Sequence, residues 1–497
     1  MISKCVFSYL ITEDHVVVPE LPIKKEFGKY TFYLDGNTPF AYATNGAIAC
    51  AIYGLAVNVI SGESDKIVDE IAETCTTVEN VIEYEKYLGG KYILLFKSNE
   101  QYYLQGDATC SIPIFYNTEG IFVCSSNCNY IVELKKYRVD SAFSLIRASG
   151  DISQAMPYDI TPYKQIKQLI PNHYVNINKQ SAVRFVNSEN EQKAITIEEA
   201  TNNVFPMIEN LLHFYHRNFK IYCPITSGRD SRVVLSFLMK NKDEFSCYTI
   251  KHPEHNEYTQ DIIIPVELCK KINIEHQLVE DLLVPESLKN EIDNLLGADN
   301  YSKRTLRIAY TIKEYFGDGA ILNGDIIGQV GKCSLHRDIP TIFATPSYFR
   351  CKLHNYSKGA KVQLQEWIKE IETSGEKVNL FDMFSIENRM GRWAGQENLI
   401  YNTLGQVYLN IFNCRSFIYT WTAVERKERK YALLHVDLIK KTCKTLLEIP
   451  FEKDESVVYR VSKATGVTYL LSSYLKYYLE KVEFFKGKKY EEIDYHS

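Results

Sequence analysis

The stretch that decides the fold of the C-terminal part of the chain is Ile221-Tyr222-Cys223-Pro224-Ile225-Thr226-Ser227-Gly228-Arg229-Asp230-Ser231-Arg232. An apolar run typical of a buried strand leads into a turn of small hydroxyl residues and glycine, and a helical pattern begins at about Ser231. Backbone N–H groups in such a turn, together with the positive end of the helix dipole, form a cradle for phosphate oxygens. We therefore predict an anion-binding loop between a strand and a helix.

The side chains of this turn add donors and charges. Thr226 and Ser231 can donate hydroxyl hydrogen bonds to phosphate, and Arg229 can add positive charge. Asp230 supplies the carboxylate oxygens that a magnesium ion prefers. Taken by itself the string has a simpler interpretation, in which Asp230 or Ser231 only caps the start of the helix. The surrounding sequence favours the first interpretation.

Strands alternate with helices around this turn. Helical patterns cover residues 197–215, 233–239, 258–272, 286–296 and 305–316, and strand-like runs cover residues 219–225, 245–250, 275–279 and 320–322. This alternation predicts an α/β domain with a parallel sheet covered on both faces. Beyond residue 358 helical periodicity dominates, and we expect those helices to pack beside the sheet.

A second phosphate-binding element is expected where the strand at 320–322 ends, because ligands of such sheets bind beyond the carboxyl ends of the strands. The sequence that follows is Asn323-Gly324-Asp325-Ile326-Ile327-Gly328-Gln329-Val330-Gly331-Lys332. We predict that Asp230 and Asp325 handle magnesium as a pair. The alternative, in which Asp325 is an ordinary turn residue, stays open because aspartate favours turns.

The first part of the chain has a different pattern of apolar and polar residues. Between about residues 29 and 178, short apolar runs rich in β-branched and aromatic residues indicate strands and hairpins. Helical spacing over residues 63–74 and 77–88 makes the predicted class α+β. The polar and charged segment at residues 187–196 indicates a linker between domains. We therefore predict a first domain over 1–186, a second domain over 197–457 and a helical tail over 458–497.

Length, charge and cysteine content limit the class of protein. The chain of 497 residues is too long for one hydrophobic core, since cores stop growing near ~250–300 residues. A net charge of −5 and short, interrupted basic clusters argue against a nucleic-acid partner. The 13 cysteines form no Cys-x-x-Cys pair, and no secretory signal or membrane-spanning run is visible. We expect a cytoplasmic protein without a membrane partner, and we allow for a homodimer.

Residues 225–231 resemble the Ser-Gly-Gly-x-Asp-Ser loop of the PP-loop ATP pyrophosphatases, in the Leu-Ser-Gly-Gly-x-Asp-Ser form of asparagine synthetases. Residues 320–332 resemble that family's Leu-Ser-Gly-x-Gly-x-Asp-Glu turn. The resemblance implies an adenine nucleotide α-hydrolase-like fold with ATP and Mg²⁺ as cofactors. It implies ATP or pyrophosphate contacts at Ile225, Thr226, Ser227, Gly228, Arg229, Asp230, Ser231, Thr249, Ile250, Asn323 and Gly324.

The first domain resembles the glutaminase domain of asparagine synthetases, an Ntn-hydrolase-like fold of stacked sheets with helices. The blocks that carry this resemblance lie at residues 88–95, 106–108, 112–116, 124–126 and 169–173. A class II glutaminase needs cysteine as its first processed residue, because the free α-amine is the base for the thiol. Ile2 holds that position and Cys5 is the nearest thiol, so we expect a degenerate domain without glutaminase activity.

This combination is similar to β-lactam synthetase and the lasso-peptide cyclases, relatives that join a carboxylate to an amine other than ammonia. The resemblance implies an ATP-dependent carbon–nitrogen ligase that forms an acyl-adenylate and releases AMP and pyrophosphate. Its substrates would be a small-molecule or peptide carboxylate and an amine. Arg229, Lys332 and Lys463 are candidates for stabilising charge on the reacting groups.

Two other functions remain open from the sequence. A PP-loop enzyme can instead use AMP to activate a carbonyl oxygen for nitrogen or sulfur insertion, and the acceptor pocket would decide between these reactions. A catalytically inactive scaffold is the third reading, supported by Ser227 in place of glycine and by the single carboxylate in the second element. It predicts ATP binding without pyrophosphate release, or no binding.

Overall fold

The structure is a computed structural model that describes residues 6–44, 47–140, 156–185, 194–256, 258–297, 301–333, 339–353, 355 and 357–451. Its strands are β1 (Tyr9–Thr12), β2 (Ile23–Phe27), β3 (Tyr30–Leu34), β4 (Phe40–Ala43), β5 (Ala49–Asn58), β6 (Leu88–Ser98), β7 (Gln101–Gly106), β8 (Phe115–Asn117), β9 (Val123–Ser125), β10 (Ile166–Gln168), β11 (His173–Asn176), β12 (Ser181–Arg184), β13 (Ile221–Pro224), β14 (Phe245–Lys251), β15 (His276–Glu280), β16 (Ala320–Asn323) and β17 (Val407–Asn410).

Its α-helices are α1 (Ile67–Thr74), α2 (Val78–Glu85), α3 (Cys128–Lys135), α4 (Ile197–Asn218), α5 (Arg229–Leu238), α6 (Gln260–Ile272), α7 (Glu286–Leu296), α8 (Lys303–Phe316), α9 (Pro346–Lys352), α10 (Lys358–Ser374), α11 (Leu380–Met383), α12 (Gly395–Thr403), α13 (Arg415–Thr422), α14 (Arg426–Arg429) and α15 (Leu433–Thr442). Short 3-10 segments cover Met239–Glu244, Thr341–Phe343 and Lys444–Leu447, and π-helical turns cover Ile327–Gly331 and Phe384–Ala394.

Two antiparallel sheets stack in the N-terminal part of the chain. Their strand orders are β10-β8-β9-β1-β3-β2 and β12-β11-β7-β6-β5-β4. Successive side chains of a strand point to opposite faces, so Ile93 and Leu95 of β6 enter the core shared with the first sheet, whereas Leu94 and Phe96 pack with α1 and α2. The predicted α+β character of this part is confirmed, and its assignment as Ntn-hydrolase-like stays a prediction.

The C-terminal part contains a parallel sheet with the strand order β15-β14-β13-β16-β17. Each neighbouring pair is parallel, which confirms the α/β prediction. The edge strand β17 was not predicted, because a four-residue run between helical patterns carries little periodicity. Chain order increases outward in both directions from β13, so the topological switch point lies between β13 and β16. Ligands of such sheets bind at the carboxyl ends of the strands beside that point.

A buried polar network joins the stacked sheets to the C-terminal helices. Arg184 at the end of β12 donates two parallel hydrogen bonds of 2.7 Å to the buried carboxylate of Glu387. Asn172 Nδ2 and Trp367 Nε1 each donate a further 2.7 Å bond to it. Asn172 holds φ at +64°, a left-handed conformation that asparagine tolerates and glycine favours.

The predicted domain boundaries stay predictions. Most of the linker at 187–196 and the whole tail at 458–497 lie outside the described residues, as do Ile2, Cys5 and Lys463. At the start of the second part, Thr196 and Glu199 form a reciprocal capping box on α4. Within the part of the chain that is described, none of the helices combines the length and apolarity needed to cross a membrane.

Candidate functional site

The loop after β13, residues 225–231 and hereafter the first loop, ends in the N-terminus of α5. Gly228 is the N-cap of α5, and no side chain of the described residues caps that end, so its first N–H groups can bind an anion. The loop stabilises itself: Thr226 N–H donates to Ser231 Oγ and Gly228 N–H donates to Thr226 Oγ1, both at 3.2 Å. The helix begins at Arg229, two residues earlier than predicted, and neither Asp230 nor Ser231 acts as its cap.

Two residues that the sequence did not single out hold the first loop from outside. Asp261, in the first turn of α6, accepts hydrogen bonds from Ser227 N–H at 2.8 Å and from Ser227 Oγ at 2.6 Å. Arg232, which is fully buried, donates to the carbonyl oxygens of Ser227 at 3.2 Å and of Pro450 at 2.7 Å. The hydroxyl of Ser227, which glycine would lack, therefore bonds the first loop to α6.

Asp230 lies at the centre of an ionic cluster. Lys332 Nζ donates to its Oδ2 at 2.6 Å, and His435 Nε2 lies 2.9 Å from its Oδ1. Burial alone would raise the pKa of Asp230, but the hydrogen bonds and charges of His435 and Lys332 outweigh it and lower the pKa to about 2. The carboxylate is thus ionised at neutral pH. His435, which burial drives toward a lowered pKa, carried no signal in the sequence because it follows Asp230 by about 200 residues.

The loop after β16, residues 323–332 and hereafter the second loop, packs directly on Asp230. A Cβ atom on Gly324 would lie 2.6 Å from the backbone oxygen of Asp230, and one on Gly328 would lie 2.6 Å from Asp230 Oδ2. Side chains at either position would push the loops apart. The two predicted phosphate elements therefore meet at the switch point of the sheet, and the glycines permit that approach.

Asp325 lines the cavity beside the loops and accepts a 3.1 Å hydrogen bond from Tyr408 Oη. Burial raises its pKa to about 6; the Tyr408 bond opposes this shift and the negative charge of Asp230 adds to it. Asn323, whose contact with ATP stays a prediction, bonds β17: its Nδ2 donates to Leu409 O at 2.7 Å and its Oδ1 accepts from Asn410 at 2.6 Å. Its side chain therefore joins β16 to the edge strand β17.

The predicted magnesium pair does not fit the observed contacts of Asp230. Both of its oxygens are taken, one by Lys332 and one by His435. Among the described residues there is no group of three or more His, Cys, Asp or Glu side chains placed to hold a metal ion. Magnesium handling by Asp230 and Asp325 therefore has no support in these contacts.

A cavity of about 520 Å³ opens at the carboxyl ends of these strands, a size typical of small-molecule sites. Four residues predicted to contact ATP line it: Ile225, Thr226, Thr249 and Ile250. Thr249 Oγ1 donates to Ile225 O at 2.7 Å, which ties β14 to the first loop. The sequence did not predict its other polar lining residues, which include His252, Asp261, Arg304, Arg389, Glu397 and Tyr408.

The structure describes two of the three residues that were predicted to stabilise charge on the reacting groups. Lys332 bonds Asp230 beside the first loop and is not among the residues that line the cavity. The guanidinium of Arg229 stacks on Phe451 at 4.7 Å from the ring centroid, and Arg229 is not among the residues that line the cavity. Lys463 lies outside the described residues, so its role stays a prediction.

Comparison with known proteins gives no family assignment. No protein-family model matches the chain, and no curated protein matches it. Three solved structures are similar at low level. A glutamine-dependent NAD+ synthetase from Acinetobacter baumannii in complex with ADP is 10% identical over 46% of this chain and 41% of that chain, with a TM-score of 0.21. The match therefore spans less than half the length of that enzyme.

The other two are enzymes of nucleotide metabolism. A glutamine phosphoribosylpyrophosphate amidotransferase from B. subtilis complexed with ADP and GMP is 12% identical over 65% of this chain and 76% of that chain, with a TM-score of 0.21. An allosteric regulatory enzyme of purine biosynthesis is 12% identical over 59% and 72%, with a TM-score of 0.23. Likenesses at these TM-scores carry no argument about fold or activity.

Proposed function

We propose that this protein is an ATP-dependent amide-forming ligase that binds ATP at the two strand-end loops. The observation that carries the proposal is the meeting of the first and second loops at the switch point of a parallel sheet, beside a cavity of about 520 Å³. An uncapped helix N-terminus and a lysine ammonium lie together there. Both attract phosphate oxygens.

In this proposal the cavity takes the nucleoside and the loops take the phosphates. Thr249 and Ile250 supply the wall beside the base and ribose, with apolar surface from Ile308 and Ile312. The first N–H groups of α5 and the hydroxyl of Thr226 bind phosphate oxygens. Because most of these groups are backbone donors fixed by the fold, they need little reorganisation during the reaction.

The proposed chemistry has two steps. A carboxylate oxygen of the substrate attacks the α-phosphorus of ATP, the bond to the bridging oxygen breaks, and acyl-adenylate and pyrophosphate form. An amine nitrogen then attacks the acyl carbon, AMP leaves, and the amine gives up a proton. Asp325 lines the same cavity, and with a pKa near 6 it is mostly ionised at pH 7 and can accept that proton.

The cavity wall also suggests the kind of acyl donor. Arg304 and Arg389 both line it, and guanidinium groups recognise carboxylates through paired hydrogen bonds. A donor with a second carboxylate, or a peptide with a free carboxyl terminus, suits these side chains. Nitrogen or sulfur insertion would use the same nucleotide chemistry with a different acceptor, and no contact in the cavity favours it over amide formation.

The test is pyrophosphate release from MgATP with a panel of carboxylates, each with and without amines. Asp230→Ala should lower substrate-dependent release at least ~100-fold, the order expected when a preorganised charged group is removed. Asp243→Ala is the matched control, because Asp243 is exposed on the 3-10 segment after α5. Release that is equal in all three proteins would contradict the proposal.

One observation favours a second candidate, an inactive scaffold. Lys332 and His435 occupy the carboxylate that the resemblance assigns to metal handling. A scaffold would bind ATP without releasing pyrophosphate under any substrate condition. Finding ATP binding together with no AMP from the whole panel would favour that candidate over the ligase.

A further inference from the structure

The ammonium of Lys332 is a positive charge that the fold holds against the carboxylate of Asp230. The 2.6 Å distance joins an ammonium to a carboxylate, and the two side chains are 23% and 31% exposed. Such half-buried pairs are screened by salt less than surface pairs. An ammonium has three N–H donors, and Asp230 is the only hydrogen-bond acceptor of Lys332 within the described part of the chain. Two donors are therefore left to face a ligand.

Both carboxylate oxygens of Asp230 already have close partners in the protein. Gly328 abuts Oδ2 so closely that a Cβ atom there would be 2.6 Å away, and His435 occupies Oδ1. Magnesium requires octahedral coordination at about 2.0–2.1 Å and usually keeps several waters. A metal ion at Asp230 would have to displace the ammonium of Lys332 from Oδ2 or the imidazole of His435 from Oδ1.

The backbone that carries Lys332 is fixed by contacts of its own. Lys332 follows the π-helical turn Ile327–Gly331, a type of turn that is frequent at functional sites. Arg429 donates to Val330 O at 2.8 Å and pairs with Asp382 at 2.6 Å in the protein interior. Gly331 passes close to the ring of His435, where a Cβ atom would meet Cε1 at 3.4 Å. The lysine is thus preorganised on Asp230.

The position of the ammonium relative to α5 indicates what it serves. Asp230 is the second residue of α5, so Lys332 lies beside the first turn of that helix, where uncapped N–H groups attract anions. We propose that Lys332 replaces a protein-bound metal ion at Asp230 and binds the ATP phosphates directly, with Asp230 and His435 as its positioning residues. This inference rests on the proposed ATP site.

A first experiment measures Mn²⁺ binding to the nucleotide-free protein from the electron paramagnetic resonance signal of free Mn²⁺. Wild type and Lys332→Arg should bind no Mn²⁺ at this position, whereas Lys332→Met should gain one site that the double variant Lys332→Met, Asp230→Asn lacks. Lys289→Met, which removes a lysine from an exposed pair with Glu286, should behave as wild type. A wild-type site that disappears in Asp230→Asn, or no gain in Lys332→Met, would overturn the inference.

A second experiment measures affinity for ATP and for adenosine in EDTA. Lys332→Met should weaken ATP binding about tenfold, as expected for loss of one hydrogen bond to a charged group, and should leave adenosine affinity unchanged. Equal ATP affinity in wild type and Lys332→Met would also overturn the inference, while leaving the ATP site intact. If wild type binds neither ligand, the proposed function and phosphate binding by Lys332 both fail, and the Mn²⁺ measurement still decides whether Lys332 replaces a metal ion at Asp230.

Discussion

The first and second loops follow neighbouring parallel strands and meet at one point, yet they are built differently. The first loop uses its own hydroxyl groups, with bonds between residues five or fewer positions apart. The second loop depends on glycines and on a lysine whose carboxylate partner lies 102 residues away. The hydrogen bonds within the first loop are therefore specified locally, whereas its anchors at Asp261 and Arg232 and the charge pairing of the second loop depend on the tertiary fold.

The largest effect should come from the anchor of the first loop. Arg232→Met leaves four carbonyl oxygens without their buried donor, those of Ser227, Leu446, Ile449 and Pro450. We expect the free energy of unfolding to fall by about 3 kcal/mol, since the bonds to Leu446 and Ser227 are fully buried and each unsatisfied buried group costs ~1–3 kcal/mol. Urea denaturation measures it, with the exposed Arg217→Met as control. Equal losses in the two variants would show that the anchor is dispensable.

The glycines of the two loops should respond unequally to alanine. Gly328→Ala forces a Cβ atom to 2.6 Å from Asp230 Oδ2, whereas Gly228→Ala meets Thr226 Oγ1 at 3.3 Å. We expect Gly328→Ala to destabilise by about 2 kcal/mol, within the usual range for overpacking, and Gly228→Ala to cost less than about 1 kcal/mol. Thermal unfolding of both variants checks this. Similar costs would mean that the second loop has more freedom than its packing indicates.

The pH dependence of stability should separate the two aspartates. Burial raises the pKa of Asp325 to about 6, so its folded form binds more protons than the unfolded chain between about pH 4 and 6. Its contribution is therefore complete below about pH 4 and is lost as pH rises through 6. Relative to Asp325→Asn, wild type should lose about 1–2 kcal/mol between pH 4 and 7.

Asp230 should show the opposite sign. Its pKa is lowered to about 2 in the folded state, so its contribution is present above about pH 4 and is lost as pH falls toward 2. Denaturation curves of wild type, Asp325→Asn and Asp230→Asn from pH 3 to 8 make the comparison. Parallel pH profiles in all three proteins would contradict the assigned environments.

The smallest effect concerns Ser227. Ser227→Ala removes the 2.6 Å hydroxyl bond to Asp261 but keeps the 2.8 Å backbone bond to the same oxygen. We expect a loss of about 1 kcal/mol, typical of one hydrogen bond. A double-mutant cycle with Asp261→Asn should show coupling between the two sites. Additive effects would indicate that the bond does not stabilise the first loop.

Sequence patterns predicted the parts of this site that are local in the chain. The apolar run, the small-residue turn and the helical pattern placed the first loop between β13 and α5, and the alternation of strands and helices predicted the parallel sheet. Asn323 and Gly324 were placed correctly at the end of β16. Periodicity records which face of an element is buried, so it was sufficient for these features.

The contacts between distant segments could not be predicted in the same way. His435 on α15, Asp261 on α6 and Tyr408 on β17 each reach the site from a separate element. Nothing in their immediate sequence distinguishes them from other polar residues of a helix or an edge strand. The pairing of Asp230 with Lys332 and His435 could not be predicted for the same reason, since it depends on tertiary packing, and the magnesium assignment stays a prediction.

The most direct test of the account is exchange of labelled pyrophosphate into ATP, measured in the absence of any amine. If the two loops hold ATP for attack by a carboxylate, exchange should appear only when the acyl donor is present and should be lost in Asp230→Ala. Adenylation is then established independently of the amine. Cleavage of ATP to ADP, or carboxylate-dependent exchange that Asp230→Ala leaves unchanged, would contradict the account.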